Sequence, residues 1–506
     1  MKKKTIDLAY FEQLLAEYRL GKELLQKRIL AAEDYWRLRH TSLLQCPKPG
    51  QIQPASGWLV NCILSKHADA VEAYPQPVCL PREAGDEAEA KTLSKILPAI
   101  LRRNDFDQVW SDVWWQKLKA GTGVYGVFWD QDRGDVAIKR VDILDLYWEP
   151  GVEDLQQSGA VFCLSRRDTE GLIREYPQLK GFLGSQVYRQ RYTDEPGRGE
   201  KESTVVDVYY KRNGCLHYLK YVGKHILFAT EGNKDFPNGL YNHGQYPFVL
   251  DGLFPEEGYP GCGYGYVDLC RDAQNVVDIL SSCFIKNALA SATPRWFIRT
   301  DGNIDEKEYA DFTKPFVHVR GRVDGDSIQA IRQEALPEVY VDLLEMKINE
   351  IKEVAGNRDV NNGSTSPQLT AAAAITALQE AGNSLSRDMI ATSYRAVRKV
   401  MELAVELIRQ FYDAPRAFRI LGAGGQKEYL AYDNARLKGV AQLDIQVEVE
   451  KENRYDRQEF KDLALQLYKL GVFREENRQE AQVLLQLLDL KGKSRLRQVL
   501  EENYGS

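Results

Sequence analysis

The segment from Leu336 to about Tyr412 constrains this chain more than any other. An apolar helix is predicted over 336–355. It gives way to VNNGSTSPQ (360–368), a linker without a single charge, and then to a long helix opening TAAAAITALQEAG. Two helices flanking a polar loop rich in Gly, Ser and Asn suit a loop that must touch something long and charged without holding it. On the first helix Leu336, Val339, Leu343, Met346 and Ile351 form one apolar row, and Val341, Leu344, Ile348 and Ala355 form another. Two rows predict burial on two sides, as between neighbours in a ring or bundle.

The remaining stripe of that helix carries Glu338, Asp342, Glu345, Asn349 and Glu353 at steps of three or four. Five acids stand on the helix against two lysines, Lys347 and Lys352. Such a stripe suits either an ordinary solvated face or an acidic wall lining a channel. The second case has physical logic if the channel carries DNA. Each Lys or Arg on a phosphate releases counterions and adds affinity, so a basic wall would grip the duplex, whereas an acidic one keeps it off the sides. The charge-free loop would make only weak, sequence-blind hydrogen bonds. Beyond it, Ser366 is placed to cap the next helix and Pro367 to occupy its first position. Continuous to Tyr412, that helix would span about 70 Å, with a kink expected at Gly382-Asn383.

A chain of 506 residues exceeds one ordinary core and is expected to divide into roughly two to four domains. Its net charge of -6 argues against gripping nucleic acid over the whole surface, so any DNA contact is local or weak. Eight scattered cysteines without a CxxC pair, and six histidines outside ligand spacing, give no zinc pattern. Free thiols in a reducing compartment are expected. The start, MKKKTIDLAYFEQ, meets Asp7 and Glu12 before any apolar stretch and does not read as a signal peptide. No window has the length and apolarity of a membrane span. The protein is expected to be intracellular when made, with no membrane contact.

Helical periodicity covers 6–40, 58–73, Glu83–Leu101 and Asp105–Ala120, the last with Trp110, Trp114 and Trp115. Between them the AYPQPVCLP cluster is expected to exclude regular structure, because it is crowded with proline. From Val124 to about 255 the pattern is β-rich, with strands at VYGVFWD, DVAIKRVDI, AVFCLSRR, TVVDVYYKR and LHYLKYVG, and YPFVLDGLF closing the block. A helix of some 25 residues begins near Tyr266 and ends before Thr293-Pro294. The segment 294–335 reads as strand, turn, short helix and strand. A β passage occupies 417–450, and three short helices are expected over 456–503.

GTGVYG (121–126) satisfies GxGxxG, but a helix precedes it and a strand follows, the reverse of a dinucleotide site, so a tight helix-to-strand turn is expected. GCGYG (261–265) opens a helix without the P-loop lysine and reads as a flexible joint. No HExxH, GxSxG or Walker pattern is present. His217, His225 and His243 read as surface or hydrogen-bonded residues. Neither a catalytic residue nor a metal or cofactor is expected.

Several segments in order resemble the tailed-bacteriophage portal (head-to-tail connector) proteins. WWQKLKAGTGVYGVFWD with DVAIKRVDILDLYWEPG is similar to that family's wing, and KNALASATPRWFI to its stem-to-clip junction. GNRDVNNGSTSPQLTAAAAITALQEAGNSLSRD is similar to its tunnel loop and long wing helix, and EVEKENRYDRQEFKDLALQLYKLGVF to the lead into its crown. The resemblance covers roughly residues 105–480. It implies an α+β subunit: wing at 1–262, stem helices at 263–291 and 336–355, and a small α/β clip at 292–335. The tunnel loop would occupy 356–368, the wing would resume at 369–450, and crown helices would fill 451–506. Asn357, Arg358, Asp359, Asn361, Asn362, Ser364, Thr365, Ser366 and Gln368 would face DNA in the tunnel loop.

The acidic stripe would then line the channel. Arg295, Arg299, Lys314, Arg320 and Arg322 would face partners from the clip, among eight acids over 294–335. The implied assembly is a ring, typically of twelve copies, at one capsid vertex. It passes double-stranded DNA during packaging and ejection and docks the terminase large subunit and the head–tail adaptor. Major capsid and scaffolding proteins are the further partners. Such a protein resides in the virion, after assembly in the host cytoplasm, and is not an enzyme. Two other readings remain open on sequence alone: a nucleotide-binding enzyme using GTGVYG or GCGYG, and a non-phage helical scaffold or adaptor.

Overall fold

The computed structural model describes residues 6–40, 54–185, 192, 201–292, 295–298, 307–308, 318, 328–331, 336–356, 384–412, 416–421, 427–432 and 443–449. Helix α1 (Leu8–Trp36) starts where the Asp7 carboxylate accepts the Tyr10 N–H. It buries Phe11, Leu15, Tyr18, Leu25, Ile29 and Ala32, a stripe at steps of three to seven that holds it to the rest of the protein along most of its length. Helices α2 (Trp58–Glu72), α3 (Glu87–Arg103) and α4 (Phe106–Ala120) follow, with strand β1 (Pro75–Pro81) between the first two.

The proline cluster is therefore a strand, against expectation. It pairs antiparallel with Leu443–Val449. Both backbone polar groups of Cys79 turn to the Ser94 hydroxyl on α3, its N–H donating at 2.9 Å. Pro75, Pro77 and Pro81 share the parity of Cys79, so their missing N–H groups fall on the side away from the partner strand. Proline is tolerated at such positions because no ladder bond is lost there.

The β-rich block is built chiefly from two antiparallel sheets. In the first, β2 (Thr122–Asp130) lies between β3 (Asp135–Arg140) and a later strand, Phe248–Gly252. The second is a meander in chain order: β4 (Leu146–Trp148), β5 (Ala160–Asp168), β6 (Glu202–Arg212), β7 (Cys215–Val222) and β8 (His225–Ala229). Its middle strand is apolar on both faces. Val206, Val208 and Tyr210 meet Phe11, Leu15 and Tyr18 of α1, while Val205 meets Leu172 and Leu179 on the other side, where α5 (Thr169–Glu175) lies. Strand β9 (Phe248–Gly252) completes the three-stranded sheet.

Helix α6 (Tyr266–Ala292) leaves this body, and α7 (Val339–Val354) packs along it. Between them Arg295–Ile298 pairs antiparallel with Ile328–Ile331, a two-stranded ribbon whose second strand lies beyond the expected PFVHVRG (315–321), a stretch that, His318 apart, lies outside the described residues. Helix α8 (Ser384–Phe411) crosses the three-stranded sheet and the β1 ribbon with a broad face that includes Val397, Val400, Met401, Ala404, Leu407 and Ile408. A hairpin, Arg416–Leu421 with Lys427–Tyr432, follows. Helices and several small sheets in one chain agree with the α+β class. The expected kink at Gly382-Asn383, the run TAAAAITALQEAG and the helices over 456–503 lie outside the described residues.

One large core joins α1 to α4, the three-stranded sheet, α6 and α8. At its centre the two glycine motifs meet. Gly121 ends α4 in the left-handed region (φ 83°), its N–H donating to the Lys117 carbonyl, and the chain turns directly into β2. That is the expected helix-to-strand turn. The second motif is not a flexible joint. A Cβ on Gly263 would stand 2.7 Å from the Gly121 carbonyl, the Leu253 nitrogen and the Phe254 carbonyl, and one on Gly265 would stand 2.4 Å from the Lys119 carbonyl. These glycines exist so that two backbones can touch, and Arg28 closes the seam by donating to the Gly263 carbonyl at 3.0 Å.

Candidate channel-lining site

Helix α7 places the predicted stripe cleanly. Glu338 stands at its N-cap, and Asp342, Glu345, Asn349 and Glu353 follow along its length, all five exposed. At 100° per residue they fall within about 80° of arc. On the far side Ile351 and Ala355 are buried, and Leu344 and Ile348 pack against the same core. That side faces α6 and α2, where Lys352 Nζ lies 5.6 Å from the Trp58 ring centroid.

Only one of the two expected apolar rows is covered within a single chain. Ile351, assigned by spacing to the first row, is buried with the second. Of the rest of the first row, Val339 is 62% and Met346 56% exposed, while Leu336 and Leu343 are half-buried. Tyr340, Val341 and Val354 are exposed as well, and so are Leu269, Ile279 and Leu289 on α6. Singly such residues mean little, but here they are concentrated on one helix pair.

A buried polar cluster anchors the root of α6 to the segments before α2, and the sequence reading missed it. The Asp278 carboxylate accepts from His40 Nε2 at 2.7 Å, from the Ser56 N–H and hydroxyl at 2.8 Å each, and from Gln274 at 2.9 Å. Gln274 also donates to Ser56 and accepts the Leu59 N–H, while His40 stacks on Tyr35 at 4.3 Å. Burial pushes the Asp278 carboxyl up, but the hydrogen bonds from His40, Gln274 and Ser56 outweigh it and hold it below the usual carboxylate range. The available signal was Gln274 and Asp278, an i,i+4 polar pair on an otherwise apolar helix face.

Of the other predicted positions, Arg295 lies in the two-stranded ribbon opposite Ile331. Arg299, Lys314, Arg320 and Arg322 lie outside the described residues. So do Asn357, Arg358, Asp359, Asn361, Asn362, Ser364, Thr365, Ser366 and Gln368; the described chain stops at Gly356 and resumes at Ser384. His225 is exposed, and His243 Nδ1 accepts the Gln245 N–H at 3.0 Å. Among the described residues no group of three His, Cys, Asp or Glu could hold a metal ion, and the seven cysteines there are free thiols. No described helix is long and apolar enough to cross a membrane. Neither glycine motif offers room for a phosphate, since each is filled by the other's backbone.

Two paired helices, α6 and α7, with a two-stranded ribbon between them in sequence, join an α+β body. The family model described as "Phage P22-like portal protein" matches residues 240–505, and the chain belongs to that family. The match takes in α6, the ribbon, α7, the 356–368 segment and α8; residues 1–239 precede it. A search of curated proteins found no match. Phage portal proteins are structural rather than enzymatic capsid components, set at a vertex of the virion.

Proposed function

We propose that this chain is one subunit of a dodecameric portal ring whose channel carries double-stranded DNA during packaging and ejection. In this reading α6 and α7 form the stem, 292–335 the clip, 356–368 the tunnel loop, and 451–506 the crown. The remaining residues form the wing. The observation that carries it is the division of α7 into three faces. One is buried on its own chain, one is acidic and exposed, and between them stand exposed apolar side chains, Val339 and Met346 on one flank and Val341 on the other. A ring accounts for all three: body behind, neighbouring subunits at the sides, channel in front.

The acidic face supports passage rather than grip. Phosphates and carboxylates repel, and salt weakens that repulsion beyond about 8 Å at physiological ionic strength. The wall therefore acts at short range, centring the duplex without trapping it. The loop then supplies neutral contacts that are easily broken. The clip would dock the terminase large subunit and later the head–tail adaptor, and the wing would meet major capsid and scaffolding proteins.

Asn361→Lys with Asn362→Lys tests the loop assignment. Two added phosphate contacts per subunit should slow or stall packaging and make it more salt-sensitive, because each contact steepens the salt dependence. Packaging at the unaltered rate in these particles would overturn the assignment.

A further inference from the structure

Two polar clusters of the same composition, each built on a buried lysine and a buried serine, hold α8 in its groove. In the first, the Lys66 ammonium on α2 donates to the Ser386 hydroxyl at 2.8 Å, and that hydroxyl donates to the Asp69 carboxylate at 2.8 Å. Lys66 and Asp69 lie 3.5 Å apart. In the second, the Lys117 ammonium on α4 donates to the Ser393 hydroxyl, which donates to the Asp251 carboxylate on β9 at 2.7 Å. Lys117 and Asp251 pair directly at 2.7 Å. Both lysines and both serines are buried. Each cluster is Lys–Ser–Asp, and in each the serine is the member contributed by α8.

The serines are seven residues apart, two turns of helix, so they share a face about 10 Å apart along the axis. One turn toward the C-terminus the neighbours on that face are apolar, so sliding α8 by one turn in its N-terminal direction would present Met389 or Ile390 to Lys66, and Ala396 or Val397 to Lys117. Each would leave a buried ammonium without its hydroxyl acceptor, held by its carboxylate alone, Asp69 or Asp251, and an unmade hydrogen bond on a buried charge is unfavourable. The apolar part of the interface, filled with Val, Met, Ala and Leu, discriminates far less between registers, since hydrophobic contact is non-directional. A polar group in an apolar helix seam can fix register in this way.

We infer that Ser386 and Ser393 are two pins that fix the axial register of α8 against the body of the subunit. Either pin suffices to hold the helix, and the pair makes its position discrete. The helix that follows the 356–368 segment in sequence is thereby tied to the core at its first and third turns. The inference stands on these contacts and not on the DNA-facing role proposed for that segment.

Hydrogen exchange of the full-length protein tests the pins. Independent hydrogen bonds this far apart contribute additively, so their exchange factors multiply; two pins on one sliding element do not. Ser386→Ala and Ser393→Ala should each speed exchange of the 384–395 amides by no more than roughly threefold, while the double variant should exceed the product of the two by at least about fivefold. Amides of β5, β6 and β7 should stay unchanged. Ser386→Thr with Ser393→Thr, which keeps both hydroxyls, should restore protection. A double variant that equals or falls short of the product would overturn the inference, and so would one that exchanges faster throughout the protein. If the double alanine variant does not fold, the cycle with Ser386→Ala and Ser393→Cys carries the same criterion.

Discussion

Lys22 shows how far one residue can depart from what its type suggests. It lies in the middle of α1, buried, with its ammonium donating to the Ile143 and Leu146 carbonyls and standing 4.6 Å from the Tyr147 ring centroid. Burial lowers its pKa to about 8, against the smaller opposing pull of nearby acidic groups. In the unfolded chain the ammonium keeps its ordinary value, so between pH 8 and 10.5 the unfolded state binds more protons than the folded one. Stability from this group therefore rises with pH across that window, by an amount on the order of 3 kcal/mol. Lys22→Met should remove the rise. Denaturant midpoints measured from pH 8 to 10 should converge on or diverge from the parent accordingly, and parallel curves would refute the assignment. The sequence gives no hint of this, because a lysine between Gly21 and Glu23 on an amphipathic helix reads as a solvated charge. Only the far-off carbonyls of 143 and 146 make it otherwise.

At the scale of elements, the helices and most strands were legible because their periodicity is strong. α1 to α4, α6 and α7 begin and end within a few residues of where leucines, caps and glycines put them, whereas the short α5 went unread and α8 is described only from Ser384. Two elements were misread for the same reason: a residue type was judged without its partner. Proline at 75, 77 and 81 argues against a strand until parity shows that all three face away from the ladder. Glycine at 261, 263 and 265 argues for freedom until Gly121 is found against it. Gly263→Ala tests this packing. The new methyl would meet three backbone atoms that have nowhere to go, and a loss of about 3 kcal/mol or more is expected in chemical denaturation. A loss under about 1 kcal/mol would show that the seam is loose after all. The exposure of the α7 stripe, by contrast, is legible from spacing alone, because exposure on a helix follows directly from its 3.6-residue period.

At the scale of the molecule, the surface that one chain leaves uncovered carries the proposed ring. The chain leaves Val339 and Met346 bare beside a row of acids, while the opposite face of the same helix is packed and the root of α6 is fixed by the His40–Asp278 cluster. A rigid root and an uncovered side are what a subunit needs if its neighbours complete it. Converting the open row should expose this dependence: Val339→Asp with Met346→Asp removes apolar area that would be buried only between subunits. These changes should lower assembly while leaving the chain's own unfolding within about 0.5 kcal/mol of the parent, since neither side chain is buried in one chain. Light scattering and denaturation on the same preparation read the two effects separately; equal loss of both would place these residues in the subunit core.

Electron cryomicroscopy of the purified full-length protein is the sharpest test of whether the acidic face of α7 lines a channel, as proposed. The expected image is a closed ring with Glu338, Asp342, Glu345, Asn349 and Glu353 of every subunit turned to the axis, around an opening wide enough for a DNA duplex. A strict monomer, or a ring with that stripe on its outer surface or between subunits, would contradict it.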